Sequence, residues 1–169
     1  LELGISIKHI KNGLKKYQGV KRRFDIHYRN NKKNIMIIDD YAHHPLEIEE
    51  TLKAAKNGWD KRIIAIFQPH LFSRTKDFYK KFSNSLNLAN IIIVIDIFPA
   101  REKPIKGISS QLIINELKKI RKNDYHYIKK IEKVPSMIRK IIKNNDMIIC
   151  MGAGNINSLL KPLIKIVEK

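Results

Sequence analysis

Acidic residues are scarce in this chain: 16 Asp and Glu stand against 34 Lys and Arg over 169 residues, a formal charge of +18. Cysteine is almost absent. Cys150 alone permits neither an internal disulfide nor a CxxC pair, and this fits a reducing cytoplasm. It lies in the apolar run Met147–Met151 and reads as a small buried hydrophobe. No apolar run approaches the roughly 20 residues that cross a bilayer, so no membrane partner is expected. No signal peptide is visible, since Leu1 to Ile10 already reads as part of a domain. The chain does not begin with Met and is expected to be a piece of a longer protein. Neither a GxxxxGK[ST] phosphate loop nor a nucleophile elbow occurs, so a complete nucleotide-hydrolysing machine is not expected here.

The basic excess suggests nucleic acid, but its pattern argues otherwise. The lysines are scattered along the whole chain together with many Ile and Asn, which share A/T-rich codons. Aromatics do not punctuate the basic runs as a stacking platform requires, so a solvated basic surface is the expectation and no nucleic-acid partner is predicted. With 43% hydrophobic and 30% charged residues, the chain reads as one globular domain with a real core.

Ile7, Ile10, Leu14 and Tyr17 recur at helical spacing over Ile5 to Tyr17, and Gly19 sits where a helix stops. Asp25–Tyr28 and Ile35–Ile38, joined through Asn30–Lys33, predict a hairpin. Strict alternation follows. Strands are expected at Arg62–Phe67, Ile91–Ile95, Tyr125–Ile128 and Met147–Cys150. Helices are expected after Pro45 and at about Thr75–Leu86, Ser109–Ile120, Val134–Lys143 and Ile156–Val167. Continuous Ile/Val strands alternating with helices predict an α/β fold, with a mostly parallel sheet of about six strands and helices on both faces.

In such a sheet every strand-to-helix loop emerges on one edge, where ligands bind. Four of these loops carry unusual residues: Asp39–Pro45, Gln68–Thr75, Asp96–Glu102 and Gly152–Asn155. The first is the densest, with two carboxylates, a tyrosine and two histidines before Pro45 opens a helix. Asp40 could accept hydrogen bonds from a ribose, or cap that helix; Asp39 reads as a structural partner. His43 and His44 could ligate a metal, but neighbours on one loop rarely converge on one ion, so His43 orienting a substrate amine or carboxylate is the better reading. Arg74, at the start of a helix, could clamp a carboxylate bidentately. Gly152-Ala153-Gly154 lacks the third glycine of a dinucleotide fingerprint and could let backbone pass close to a ligand.

At Asp39-Asp40-Tyr41-Ala42-His43-His44-Pro45 and at Phe67-Gln68-Pro69-His70 through Ser73-Arg74-Thr75, the chain resembles the carboxy-terminal domain of the Mur ligases, on their alanine-adding branch. Gly19–Phe24, Asp96–Glu102, Pro104–Gly107 and Met151–Ile156 also match in order. The resemblance implies a Rossmann-like three-layer domain from residue 20 to 169, with residues 1–19 closing a central ATPase domain. It implies ATP with magnesium, the magnesium held mainly by that central domain, and UDP-N-acetylmuramate and L-alanine as the other substrates. An acyl phosphate forms first and the alanine amine then attacks it. Carried over residue by residue, Arg23 and Asp40 contact ATP. Tyr41, His43 and Arg74 form the alanine site, while His44, His70, Gly152 and Gly154 line it. Leu71 departs from the pattern, since many members carry an arginine there. Without its phosphate loop the fragment alone is expected to be inactive.

Overall fold

The computed structural model describes residues 3–168 apart from 18 and 123. Its sheet has the order β1-β2-β6-β3-β4-β5. Strands β1 (Asp25–Asn30) and β2 (Ile35–Asp40) form the expected antiparallel hairpin, with a bulge between Ile26 and Tyr28. Strands β3 (Arg62–Phe67), β4 (Ile91–Ile95), β5 (Tyr125–Ile128) and β6 (Asp146–Met151) run parallel to β2. Helices are α1 (Ile7–Lys16), α2 (Pro45–Gly58), α3 (Phe72–Leu86), α4 (Gln111–Ile120), α5 (Val134–Ile141) and α6 (Leu160–Val167).

Right-handed crossovers decide which face each helix covers. The chain steps one way across the sheet from β2 through β3 and β4 to β5, so α2, α3 and α4 lie together on one face. There Ile48, Leu52, Phe82, Leu86, Ile113 and Leu117 are buried against Ile38, Ala65 and Ile149. The step from β5 back to β6 reverses direction and places α5 and α6 on the other face, where Val134, Ile138, Leu163 and Val167 cover Ile37, Ile64 and Ile148. Burial on both faces explains the continuous apolar, Ile-rich runs of β2, β3, β4 and β6. It also pushes the Cys150 thiol up from its ordinary pKa.

Because β6 returns between β2 and β3, its loop leaves toward one face while its neighbours' loops leave toward the other. In open α/β sheets such a reversal, at the carboxyl ends of the strands, is where ligands bind.

Most elements end within two residues of the sequence expectation, and three differences bear on the site. Strand β2 runs through Asp39 and Asp40, so the two carboxylates are strand residues pinned by the sheet. Helix α6 begins four residues late, behind a 3-10 turn at Ile156–Leu159. Helix α3 begins at Phe72 instead of Thr75 because Glu102, from a different loop, accepts the Ser73 backbone N–H (3.0 Å) and its hydroxyl, supplying a cap that local sequence does not contain.

Candidate functional site

The carboxyl edge of β2 is built on Asp40. Its Oδ2 accepts the Phe24 N–H (2.8 Å) and the Thr51 hydroxyl (3.2 Å), and its Oδ1 accepts the Ala42 N–H (2.7 Å). Only 4% exposed, Asp40 ties the segment entering β1, its own loop and α2 into one unit. Beside it, burial pushes the Asp39 carboxyl above the usual range while Arg22 pulls it back, with Arg22 Nε 3.2 Å from Asp39 Oδ2.

Arg22 is the residue the sequence reading passed over in favour of Arg23. It adopts a left-handed backbone (φ 59°), donates to the Gly152 carbonyl (2.7 Å) and lies 4.9 Å from the centre of the Tyr41 ring. One guanidinium thus joins the ends of β2 and β6 and supports Tyr41. Arg23 is the outer of the pair: its side chain is 53% exposed, 5.6 Å from the Tyr41 ring and 3.7 Å from Glu47. Two adjacent arginines gave no sequence signal to rank them.

The loop after Asp40 turns the two histidines apart. His43 Nδ1 lies 2.9 Å from the Tyr41 carbonyl and 3.2 Å from Glu47 Oε2, and its ring meets Tyr41 and His70 edge-on. His44 instead packs its ring on Phe78 of α3, 5.0 Å between centroids. Glu47 accepts the backbone N–H groups of both, at 2.9 and 3.2 Å. Burial opposes its ionisation, but these donors, His43 and Arg23 outweigh burial and hold its carboxyl below the usual range. The spacing His44-x-x-Glu47 is that of a capping box, which was the available signal for this residue.

Loops two and three are zipped together. His70 bridges Phe98 in parallel register, with Leu71 N–H on the Phe98 carbonyl (3.0 Å) and Phe98 N–H on the Pro69 carbonyl (2.8 Å). The His70 ring stacks on Phe98, 5.8 Å between centroids. Burial, then the Arg74 charge, lowers the His70 pKa, so the ring is neutral at neutral pH. Leu71 takes φ 73° to turn the chain into α3 between His70 and Arg74. Such a backbone costs a non-glycine residue about 1–3 kcal/mol, and strain of this kind collects at functional sites.

Gly152 and Gly154 fill a different role from the one their sequence suggested. A Cβ on Gly152 would stand 2.9 Å from the Gln68 carbonyl, and one on Gly154 would stand 2.5 Å from both Gln68 Oε1 and Phe98. The space beside both glycines is occupied by protein, and their smallness lets the β6 loop pack on the β3 loop. Next to this contact Gln68 donates to Asn155 (2.7 Å), and a cleft of about 490 Å³ opens between Gln68, Asp96, Phe98, Lys129 and Asn155.

The edge is also where polar atoms go unsatisfied. Among the described residues, the buried side-chain polar atoms without a hydrogen-bond partner belong to Arg22, Asp39, Gln68, His70 and Arg74. All five residues lie at the carboxyl edge. Buried polar groups are normally paired, so this concentration, in which Arg22 Nε still has the Asp39 carboxylate at 3.2 Å, singles out the edge as the candidate site.

The chain matches the family model described as "Mur ligase, glutamate ligase domain" over residues 22–154. It is 40% identical over 162 residues to a UDP-N-acetylmuramate–L-alanine ligase of Chlorobium chlorochromatii, covering 94% of this chain and 34% of the relative. A namesake from Geotalea uraniireducens is 41% identical over 165 residues, covering 98% and 36%. The crystal structure of a UDP-N-acetylmuramate–alanine ligase from Thermotoga maritima superimposes with a TM-score of 0.82 at 26% identity, covering 99% of this chain and 34% of that one. The chain spans about a third of the length of these relatives. With the family model running from Arg22 at the first loop to Gly154 at the last, the chain belongs to the Mur ligase family.

Proposed function

We propose that this chain is the carboxy-terminal domain of an ATP-dependent ligase that joins L-alanine to UDP-N-acetylmuramate. The observation that carries the reading is the set of unpartnered buried polar atoms at the carboxyl edge, Arg74 among them, in a chain about 40% identical to alanine-adding ligases. Arg74 Nη1 is buried without a partner, and Glu102, an acid whose charge reaches it, already accepts both donors of Ser73. A substrate carboxylate supplies the missing acceptor, and a guanidinium fork suits it. Tyr41 and His43 stand on the amine side of the alanine, with His70 between His43 and Arg74, and His44 serves from behind by packing on α3.

Arg23, the exposed arginine, reaches ATP phosphate. Asp40 spends three of roughly four carboxylate lone-pair positions inside the protein, which leaves one for a ribose hydroxyl. The phosphate loop, the magnesium ligands and the UDP-sugar site come from preceding domains, which end near Gly19. Helix α1 presents Ile7, Ile10 and Leu14 to solvent and buries none of its residues, as the last helix of such a domain would when seen without it. ATP and the UDP-sugar carboxylate form an acyl phosphate, the alanine amine attacks its carbonyl carbon, and phosphate leaves. The setting is the cytoplasm, where these substrates meet.

The test is phosphate release by the full-length protein. Release that requires ATP, UDP-N-acetylmuramate and L-alanine together is expected, and none from the 169-residue chain alone. A full-length protein that prefers a peptide or another amino acid would overturn the assignment.

A further inference from the structure

We infer that Glu47 is a positioning residue that, together with the Tyr41 carbonyl, fixes the tautomer of His43, so that His43 Nε2 takes the proton from the attacking amine. The inference rests on the ligase reading above. His43 Nδ1 faces two groups that can only accept, the Tyr41 carbonyl at 2.9 Å and Glu47 Oε2 at 3.2 Å. A ring nitrogen between two acceptors carries the hydrogen, which leaves the lone pair on Nε2. Glu47 is ionised at neutral pH and cannot turn away, because both backbone N–H groups at the start of α2 hold the same Oε2. Among the described residues nothing hydrogen-bonds Nε2, and the side chain keeps 21% of its surface open. The titratable and charged groups around His43 are Tyr41 on its own loop, Glu47 on α2 with Arg23 beyond it, and His70 on the next loop with Arg74 beyond it.

In the reaction, the ammonium of the incoming amino acid gives one proton to His43 Nε2, and the freed lone pair forms the C–N bond to the acyl carbon. Collapse breaks the C–O bond to phosphate, which leaves with the electron pair and takes up the second ammonium proton. The imidazolium formed on His43 is paired on its Nδ1 side by the Glu47 carboxylate. The arrangement is that of a base oriented by a third group.

The tautomer is read first, on the 15N-histidine-labelled chain without substrate, by two-bond 1H–15N correlation, with His43→Gln identifying its signals. The Nδ1–H pattern is expected for His43, and Glu47→Ala is expected to lower its population without abolishing it, since the Tyr41 carbonyl at 2.9 Å remains as an acceptor. Glu47→Gln separates charge from capping, since its amide oxygen still accepts the α2 N–H groups. In the full-length enzyme His43→Gln should lower kcat on the order of 10²-fold, the lower end for general base catalysis. Glu47→Gln should lower kcat about tenfold, with the KM for ATP unchanged. An Nε2–H tautomer in the unsubstituted chain, or a Glu47→Gln enzyme with unchanged kcat, overturns the inference. If the enzyme adds a different amino acid, the substrate assignment fails while the tautomer result still stands, so the two failures are distinguishable.

Discussion

Arg62 and Arg74 lie one segment apart, the first opening β3 and the second in the first turn of α3, and their surroundings are opposite. Arg62 grips Asp146 with two bonds of 2.7 Å, donates to the Ile141 carbonyl at 2.8 Å, and leaves Asp146 fully buried. Among the described residues Arg74 forms no ion pair within 4 Å, feeling Glu102 only at longer range, and its Nη1 is buried without a hydrogen-bond partner. The amino edge of the sheet is closed on itself, while the carboxyl edge keeps unsatisfied donors and acceptors. Unpaired buried polarity opposes folding, so its confinement to one edge among the described residues is what the site proposed above accounts for.

Breaking the closed edge should have the largest effect on stability. Asp146→Ala strands Arg62 and should cost about 3 kcal/mol in urea unfolding, the low end for a broken buried pair because Arg62 keeps some solvent. The KM for alanine in the full-length enzyme should not move. Arg74→Ala should do the reverse, leaving stability nearly unchanged and raising the alanine KM by a lost charge-assisted contact of about 1.5–3 kcal/mol, roughly 10- to 150-fold. Equal effects on the KM for ATP would remove Arg74 from the carboxylate site. Gly154→Ala tests whether the loops behind the edge are rigid. Its methyl meets Gln68 and Phe98, and overpacking of this kind should cost about 1–3 kcal/mol in thermal or chemical unfolding. An unchanged midpoint would show that the loops yield.

The smallest effect is a pH dependence. Burial and Arg74 hold the folded His70 below the ordinary value of 6.5, so the unfolded chain binds its proton first as pH falls. Stability tied to His70 is fully present above about pH 6.5 and is lost as pH falls through that value toward the folded one. His126, also lowered by burial, adds a term of the same sign, so the comparison is between the chain and His70→Gln. The variant should show a shallower loss of melting temperature between pH 7.5 and 5, and identical slopes would mean that His70 is not depressed.

The periodic segments could be read because their burial is simple. A strand covered on both faces is a continuous apolar run, and β2, β3, β4 and β6 are written that way, mostly in Ile. Boundaries set by distant groups could not be read. The α3 start depends on Glu102, which lies 29 residues beyond Ser73. At the edge, the residue types were visible but their division of labour was not. Asp40 and His43 stand three positions apart, yet one is spent on internal hydrogen bonds and the other keeps a ring nitrogen open. Gly152 and Gly154 looked like room for a ligand and turn out to be room for Gln68 and Phe98.

Local periodicity and loop chemistry determined the alternating elements, the parallel sheet and the four loops that gather at its carboxyl edge. The insertion of β6 between β2 and β3 was decided only in three dimensions, because nothing in a strand's own residues names its neighbour. That insertion brings the β6 loop within reach of both Arg22 and Gln68. Which arginine braces the site, which carboxylate holds the scaffold and which polar atoms stay unpaired all follow from contacts between residues far apart in the chain.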